Sequence, residues 1–127
     1  MNNSKTDLLQ RWDQVETETL TPWISRQMIH GDRIMLAQIH LKKGCVVPLH
    51  QHDNEQFSYV LEGKMRFWVG KGELEEIVIE SGEVLHLPSN VPHKAEALVD
   101  TRCLDVFSPP RQDWIDGTDA YLRSQLD

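Results

Sequence analysis

The sequence predicts an all-β sandwich or barrel formed by a single domain. Short segments with alternating apolar and polar side chains recur through the middle of the chain, and turn residues separate them about every 8 to 12 residues. No helical periodicity competes with this pattern there, which argues against a βαβ arrangement. The chain has 127 residues, the usual length of one domain, so we expect a single domain over residues 1–127.

Strands are expected throughout a barrel core that spans about residues 34–107. Alternation is clear in Phe57–Leu61 and again in Met65–Val69, on either side of a turn at Gly63. Glycines mark two further turns, at Gly70–Gly72 and at Gly82. The expected strands are Ile34–Leu41, Phe57–Leu61, Met65–Val69, Ile77–Ile79, Val84–Leu87, Ala95–Leu98 and Arg102–Phe107.

The two ends of the chain differ from this core. Residues 1–33 form an expected N-terminal arm, in which Thr6–Val15 has the spacing of a short helix. A C-terminal helical segment is expected over residues 108–127, because Ser108 resembles a helix cap and the prolines after it fit a first turn. Thr118 is a second candidate cap, before an expected helix over residues 119–126.

The charge of the chain argues against some classes of partner. With 13 basic and 20 acidic residues its net charge is -7, whereas nucleic-acid binding requires a basic face. The chain contains no apolar run of about 18 residues that would span a membrane. Met1–Asp7 lacks the apolar centre of a signal peptide. We therefore expect a cytoplasmic protein that binds neither nucleic acid nor membranes.

The two cysteines, Cys45 and Cys103, are far apart in the sequence and form no CxxC motif. We expect them to be reduced and partly buried, as small apolar side chains. A disulfide would require facing Cα atoms, which alternation patterns do not reveal.

Two histidines separated by one residue are the first indication of a metal site. In an extended strand His50 and His52 point to the same side, and the turn residues Asp53-Asn54 would bring the next strand back over them. On that strand Glu55 and Gln56 face opposite ways, so only one of them can join the histidines. Alternation alone leaves open which one does.

A third histidine, His93, follows a turn bracketed by Pro88 and Pro92. Three imidazoles and one oxygen ligand suit a borderline divalent ion such as Zn, Fe, Ni, Mn or Co. The His-x-His pair alone is weak support for a metal, because two surface histidines near a turn are more common than a metal site.

Two longer motifs in the chain resemble those of the cupins, a class of small jelly-roll barrels. The first cupin motif is Gly, five residues, His-x-His, three or four residues, Glu, six residues, Gly; here Gln56 stands in the Glu position. The second is Gly, five residues, Pro-x-Gly, two residues, His, three residues, Asn; here Asn90 replaces the second Gly and Ala97 the final Asn. The matched positions are Gly44, His50, His52, Gln56, Gly63, Gly82, Pro88, Asn90, His93 and Ala97. The resemblance implies an all-β, single-domain cupin jelly-roll barrel.

The cupin resemblance also implies the ligands of one divalent transition metal. They are His50, His52, Gln56 and His93. The resemblance therefore implies that Gln56, and not Glu55, joins the histidines, and that Glu55 is a solvated turn residue. Because an amide leaves the +2 charge of the ion uncompensated, an anionic substrate should be held better than in a site with a glutamate.

The strand Arg102–Phe107 carries a second group of candidate residues. Cys103, Asp105 and Phe107 share one face, and an acid on an otherwise apolar face is costly to bury unless it is paired or functional. Arg111 follows two prolines and offers a bidentate fork for a carboxylate at the mouth of the barrel. The alternative is an ordinary ion pair between Asp105 and Arg111 that pins the C-terminal segment.

Within the cupins, the segments EQFSYVLEGK, PSNVPHKAEAL and LDVFSPPRQDW resemble the small KdgF-like cupins of pectin and alginate breakdown. Those proteins linearise 4,5-unsaturated monouronates to open-chain keto acids, and their pattern D-x-F-x-x-x-R matches Asp105, Phe107 and Arg111. The resemblance implies a Lewis-acid metal and Asp105 as general acid or base. It also implies that Arg111 binds the substrate carboxylate and that Phe107 packs against the sugar ring.

Three classes of function remain open from the sequence. The first is this non-redox, metal-dependent enzyme acting on a small anionic sugar acid. The second is an Fe(II)- or Ni-dependent dioxygenase, which three histidines with open coordination positions permit. The third is a metal- or small-ligand-binding module without catalysis. The resemblance further implies a homodimer, in which exposed sheet edges or faces would be covered.

Overall fold

Two antiparallel β-sheets enclose the core of this computed structural model, which describes residues 8–123. One sheet has six strands in the order β1-β2-β3-β10-β5-β8, and the other has four in the order β4-β9-β6-β7. The strands are β1 (Glu18–Thr21), β2 (Ile24–His30), β3 (Met35–Leu41), β4 (Val46–His50), β5 (Glu55–Glu62), β6 (Lys64–Val69), β7 (Glu75–Glu80), β8 (Val84–Leu87), β9 (His93–Ala97) and β10 (Thr101–Ser108). The all-β expectation is confirmed.

Alternation along the strands divides the side chains between the core and the surface. Strand β3 shows this over its whole length, because every second residue from Met35 to Leu41 is buried. The other sheet contributes residues of β6 and β9 to the same apolar cluster. The buried residues of these three strands are Met35, Ala37, Ile39, Leu41, Met65, Phe67, Ala95 and Ala97. The core therefore lies between the two sheets.

The N-terminal segment contains two strands where an arm was expected. Strands β1 and β2 pair with each other, and β2 pairs with β3 along its full length, so the six-stranded sheet begins before residue 34. Arg26 interrupts the apolar alternation of β2, since it lies on the core side between Ile24 and Met28. A charged side chain at an inward position interrupts the alternation of apolar residues, so this pattern does not predict the strand.

The expected N-terminal helix is a second difference. Residues 6 and 7 of Thr6–Val15 lie outside the described residues, and only Leu8 of the remainder is α-helical. Trp12–Gln14 form a single 3-10 turn. The side-chain amide of Gln27 donates to the carbonyls of Trp12 and Val15, both at 2.8 Å. Contact with β2, rather than helix propensity, therefore shapes this segment.

Two short helices form the C-terminal segment, α1 (Gln112–Asp116) and α2 (Ala120–Arg123). The helix expected over residues 119–126 is described only as far as Arg123. Between residues 8 and 123, none of the helices has the length and apolar character needed to cross a membrane.

Neither expected side-chain cap is used in these helices. The Ser108 hydroxyl donates to the Arg33 carbonyl at 2.9 Å, and α1 starts only after Arg111, whose side chain makes no capping hydrogen bond. The Thr118 hydroxyl points back to the Asp113 carbonyl at 3.4 Å. Both hydroxyls are thus engaged elsewhere, because the segment follows the barrel surface instead of forming one regular helix.

A buried ion pair anchors the C-terminal segment to the barrel. The guanidinium of Arg26 lies 2.6 Å from the Asp119 carboxylate, and these side chains are 1% and 0% exposed. Arg26 also lies over the Trp114 ring, 4.5 Å from its centroid, and donates to Glu18 at 2.9 Å. Helix α2 consequently contacts β1 and β4, the strand that ends at His50.

The two cysteines, Cys45 and Cys103, are buried and unpaired. Burial raises the pKa of Cys45 to about 11, and burial together with the charge of Asp105 raises the pKa of Cys103. Both thiols are therefore protonated at neutral pH and act as small apolar side chains.

Candidate metal centre

Three imidazole rings meet at one end of the barrel. His50 ends β4, His52 lies in the loop that follows, and His93 begins β9. His50 and His93 are paired across the two strands, and their ring centroids lie 4.3 Å apart. One nitrogen of each ring lies within 4.8 Å of the other two. Nitrogens bound to one metal at about 2.1 Å can be at most about 4.2 Å apart, so the spacing of the three rings is close to that of a shared metal site.

Backbone carbonyls fix the orientation of all three rings. In each ring Nδ1 donates to the carbonyl of a residue two positions away, at 2.7 Å for His50 and 2.9 Å for both His52 and His93. A carbonyl only accepts, so Nδ1 carries the proton and Nε2 keeps its lone pair. Nε2 of His52 is buried without a hydrogen-bond partner among the described residues. This donor set fits a divalent transition metal.

Burial keeps the three imidazoles neutral. Desolvation is the main cause that lowers the pKa of His50 to about 3, and repulsion from His93 when that ring is protonated is the second. Desolvation and then the charge of Arg111 lower the pKa of His52 to about 4, and desolvation also lowers the pKa of His93. Neutral imidazole is the form that binds metals, so no proton has to leave these rings at neutral pH.

Hydrogen bonds between two loops hold His52 and His93 in position. The backbone N–H of Asn90 donates to the His52 carbonyl at 2.8 Å, and its side-chain amide donates to Asp53 at 3.3 Å. Asn90 has a φ of 62°, a left-handed conformation that glycine and asparagine adopt most readily. This explains why asparagine can replace the glycine of the second cupin motif.

Glu55 and Gln56 face opposite sides of the six-stranded sheet. Gln56 points into the barrel and is 6% exposed, whereas Glu55 points outward and bonds to His86 at 2.7 Å. The Gln56 amide nitrogen donates to the Ser58 hydroxyl at 2.8 Å. Burial lowers the pKa of His52, and the interaction of this ring with the Gln56 side chain partly opposes the shift. Gln56 is therefore the residue on the side of the histidines.

Asp105 lies on β10 directly opposite Ser58 of β5. Burial raises the pKa of Asp105 to about 7, although the Ser58 hydroxyl and the charge of Arg111 both lower it. Its Oδ1 is buried and has no hydrogen-bond partner within residues 8–123. The inward side of β10 also carries Cys103 and Phe107, as alternation predicts. A carboxyl group that titrates near neutral pH can both give and take a proton.

Arg111 is buried at the mouth of the barrel, with 2% of its side chain exposed. Its Nε and Nη2 contact both carboxylate oxygens of Asp113, at 3.1 and 2.9 Å. Nη2 also donates to the Tyr121 hydroxyl at 2.7 Å, and the guanidinium lies 5.2 Å from the Phe107 ring centroid. Arg111 therefore pairs with Asp113 of its own segment and not with Asp105, and the ion pair that anchors this segment to the barrel is the one between Arg26 and Asp119.

Tyr121, on helix α2, completes the site. Its ring stacks on His50 with the centroids 4.5 Å apart, and its hydroxyl accepts a hydrogen bond from the Trp114 indole at 3.1 Å. It forms one wall of a cavity of about 60 Å³ that is also lined by Gln56 and Asp105. No local pattern marks Tyr121, because only the path of the C-terminal segment brings it to His50.

A family model of the cupin domain matches residues 37–107, more than half of the chain. The match includes every proposed metal ligand together with Asp105 and Phe107. The chain is a cupin. Its two-sheet barrel is the jelly-roll architecture that the two sequence motifs imply.

Two solved structures resemble this cupin over most of their own length. The structure of KdgF from Halomonas sp. has a TM-score of 0.73 and 27% sequence identity, and the alignment covers 80% of this chain and 93% of that one. An RmlC-like cupin from Shewanella frigidimarina NCIMB 400 has a TM-score of 0.74 and 30% identity over 83% of this chain and 93% of that one. The expected resemblance to KdgF-like cupins is confirmed.

The curated relatives that match this cupin are longer proteins. The 3-hydroxyanthranilate 3,4-dioxygenases of Rattus norvegicus and Homo sapiens are 24% and 25% identical over 87% and 91% of this chain. The matches cover only 39% and 41% of those proteins, so this cupin spans less than half of their length.

Proposed function

We propose that this cupin is a metal-dependent enzyme that acts on a small anionic sugar acid, by ring opening or tautomerisation of a 4,5-unsaturated uronate. The proposal rests on one observation: three imidazole rings converge, and two of them, His50 and His93, line the cavity that also holds a buried carboxyl group, Asp105, with a pKa of about 7. Such an acid beside a cation site suits proton transfer without redox chemistry. The similarity to KdgF from Halomonas sp. supports a sugar acid as the substrate class.

The proposed ligands of one divalent transition metal (Zn, Ni, Fe, Mn or Co) are His50, His52, Gln56 and His93. Three Nε2 lone pairs and one amide oxygen form a donor set that these ions accept. When bound, the metal supplies Lewis-acid polarisation of a ring or enol oxygen. The amide of Gln56 adds no negative charge, so the net positive charge of the site favours an anionic substrate.

The other proposed roles belong to side chains around the same cavity. Asp105 moves the proton, because a group with a pKa of about 7 is present in both forms at neutral pH. Arg111 binds the substrate carboxylate, and Phe107, which packs against the same guanidinium, contacts the sugar ring. Asp113 occupies Nε and Nη2 of Arg111, so a substrate carboxylate has to use Nη1 or displace Asp113.

The size of the cavity sets a condition on substrate entry. A volume of about 60 Å³ accommodates a few water molecules but not a monouronate. Tyr121, which covers His50, therefore has to move together with helix α2 before a sugar acid can reach the imidazoles. The C-terminal segment is in this proposal the movable wall of the site.

Loss of the ultraviolet absorbance of the C=C bond of an unsaturated monouronate tests the proposal. Protein purified without a histidine tag is first analysed for its metal content, and rates are then measured for wild type and Asp105→Ala. We expect kcat to fall at least about 100-fold in Asp105→Ala, because general acid–base catalysis contributes about 10²–10⁴-fold. Asp116→Ala, which removes an exposed acid of α1, is the control. An unchanged rate in Asp105→Ala would contradict the proposed role.

A second candidate function is an Fe(II)- or Ni-dependent dioxygenase. It is supported by the match to 3-hydroxyanthranilate 3,4-dioxygenases over 87% of this chain, and by a three-histidine site that leaves coordination positions open. Consumption of O₂ that depends on substrate would favour this candidate over the first. Binding of metal and sugar acid without turnover would instead indicate a binding module without catalysis.

We further propose that this cupin is a cytoplasmic homodimer that binds neither nucleic acid nor membranes. Two buried, unpaired cysteines suit a reducing compartment, and the net charge of -7 disfavours nucleic acid. The outer face of the six-stranded sheet exposes Phe57, Tyr59 and Val84, at 46%, 37% and 54%. Adjacent exposed apolar side chains of this kind are typical of surfaces that pair subunits.

A further inference from the structure

The Gln56 side chain is held by a residue outside the proposed ligand set. Its amide nitrogen donates to the Ser58 hydroxyl at 2.8 Å, and both side chains point inward from β5 with 6% and 1% exposure. An amide has one donor end and one acceptor end, so a fixed nitrogen also fixes the direction of the carbonyl oxygen. With the nitrogen at Ser58, the carbonyl oxygen is the end of the amide that remains for the neighbouring imidazoles, and the Gln56 side chain interacts with His52.

The Ser58 hydroxyl has a second neighbour that sets its own direction. Asp105 lies opposite Ser58 in the pairing of β10 with β5, and its carboxyl group interacts with that hydroxyl. The Ser58 oxygen accepts the hydrogen bond from the Gln56 nitrogen, and the carboxyl group of Asp105 offers an acceptor oxygen in either protonation state, so the Ser58 proton can be directed at Asp105. If Ser58 donated to Gln56 instead, the amide nitrogen would be turned toward His52 and could not bind a metal.

We propose that Ser58 is a positioning residue that orients the Gln56 carbonyl oxygen toward the three imidazoles. This role rests on the metal site proposed above and adds a residue to it. It also gives a reason for an amide at position 56 where many cupins have a glutamate. A glutamate would offer no N–H donor to Ser58, and it would place a second carboxylate beside the hydroxyl that interacts with Asp105.

Binding of Co(II) tests the role of Ser58 without reference to enzymatic activity. Metal-free protein is titrated with Co(II), and the affinity and the visible absorption spectrum are compared between wild type, Ser58→Ala and Ser58→Thr. We expect Ser58→Ala to bind Co(II) about 10-fold more weakly with an altered spectrum, because residues that orient ligands typically contribute about 10–100-fold. Ser58→Thr keeps the hydroxyl and should restore both properties.

Cys103→Ala is the matched control for Ser58→Ala. It removes one buried side-chain atom from the neighbouring inward position of β10, opposite Val60, and should leave the affinity and the spectrum unchanged. Thermal unfolding of the metal-free variants shows whether each one folds. If Ser58→Ala does not fold, Ser58→Cys takes its place and should show the same loss, because a thiol is only a weak acceptor.

A double substitution separates orientation of the amide from general loosening of the site. Gln56→Ala has no amide for Ser58 to orient, so adding Ser58→Ala to it should change the Co(II) affinity less than about two-fold. Equal affinity and an identical spectrum in wild type and Ser58→Ala would overturn the role of Ser58 alone. A full loss of affinity that persists in the Gln56→Ala background would do the same. Wild-type protein that takes up no Co(II) would overturn the metal site and this role together.

Discussion

The buried carboxyl group of Asp105 couples the stability of the protein to pH. Burial raises its pKa from 3.8 to about 7. Between these values the folded chain keeps a proton that the unfolded chain has released, so this group makes the free energy of unfolding fall as pH rises from about 4 to about 7. His50 and His52 act in the opposite direction, because their lowered pKa values make the free energy of unfolding fall as pH drops below about 6.5.

We predict that Asp105→Asn removes the contribution of Asp105 to this dependence. Asparagine is neutral at every pH, so the variant should gain stability relative to wild type between about pH 5 and about pH 8. The upper limit of the gain is about 3 kcal/mol, because wild type loses about 1.4 kcal/mol per pH unit between pH 5 and the pKa of about 7. Urea denaturation of chelator-treated proteins at both pH values measures it, and the contribution of the histidines cancels in the difference. A difference between the two proteins that stays constant with pH would show that Asp105 is not protonated in the folded state.

Individual positions show what alternation decides and what it leaves open. It correctly places Asp105 and Phe107 on one face of β10. It cannot choose between Glu55 and Gln56, because the large apolar side chain of Phe57 shares the side of Glu55 and yet is 46% exposed. Where the outer face of a sheet is itself apolar, hydrophobicity does not identify the inner face. The spacing of the cupin motif identifies Gln56 as the residue beside the histidines, because that spacing follows the positions of the metal ligands and not the burial of side chains.

At the scale of elements, the C-terminal segment depends on contacts that no local signal reveals. Helices as short as α1 and α2 are unstable in isolation. They are held by pairs between residues distant in sequence, including Arg26 with Asp119 at 2.6 Å and Glu18 with Arg123 at 2.8 Å. Composition and periodicity therefore indicate a helical segment, whereas its position over the histidines follows only from the folded barrel.

We predict that Asp119→Ala loosens this segment and destabilises the protein by about 3 kcal/mol. Among residues 8–123, the substitution leaves the buried Arg26 with Glu18 as its one ionic partner, and removing one partner of a buried pair typically costs about 3–5 kcal/mol. Glu76→Ala is the control, because its partner Arg66 is 36% exposed and such pairs contribute about 1 kcal/mol or less. Urea denaturation at neutral pH measures both variants. Equal losses would mean that the Arg26–Asp119 pair does not anchor the segment.

Helix α1 carries a second prediction, because Asp113 competes with any ligand for Arg111. Asp113→Asn replaces a carboxylate with a neutral amide, so the Arg111 guanidinium becomes more available to an anionic ligand. We expect the Kd for galacturonate to fall about five-fold in the metal-loaded protein, which corresponds to about 1 kcal/mol, the typical net contribution of one hydrogen bond. Isothermal titration calorimetry measures this.

The control for Asp113→Asn is Asp116→Asn on the same helix. Asp116 is exposed and accepts a hydrogen bond from Gln112 at 2.9 Å, so its substitution removes the same charge from α1 without changing the partners of Arg111. An equal gain in affinity from both variants would point to net charge, and no gain from Asp113→Asn would argue against Arg111 as the carboxylate-binding residue.

At the scale of the whole molecule, the barrel follows from two kinds of sequence information. Alternation and turn residues locate strands between residues 34 and 107, and motif spacing identifies the cupin family and brings His50 and His93 together. Neither kind of sequence information identifies strands β1 and β2, because Arg26 interrupts the apolar pattern and no cupin motif extends to them. Arg26 is inward because its partner Asp119 comes from the other end of the chain, a long-range pairing that a single sequence does not show.

An apolar patch on the outer face of the six-stranded sheet indicates a contact with a second copy of the chain. Phe57 and Tyr59 of β5 lie beside Val84 of β8 on one side and Leu104 and Val106 of β10 on the other. These five residues, here called the outer patch, include three that are more than a third exposed. Large exposed apolar patches are uncommon on monomers and typical of interfaces, so the outer patch is the surface by which we expect two copies to associate.

We predict that Phe57→Glu converts a homodimer into a monomer. In a two-fold symmetric interface each patch faces its own copy, so one substitution buries two like charges and removes two aromatic contacts. Light scattering after size exclusion should give about twice 14.7 kDa for wild type and 14.7 kDa for the variant. Val78→Glu, on the outer face of the four-stranded sheet at 42% exposure, should keep the mass of the wild type. Wild-type protein that is monomeric at all concentrations would rule out the homodimer, and a dimeric Phe57→Glu would move the interface away from the outer patch.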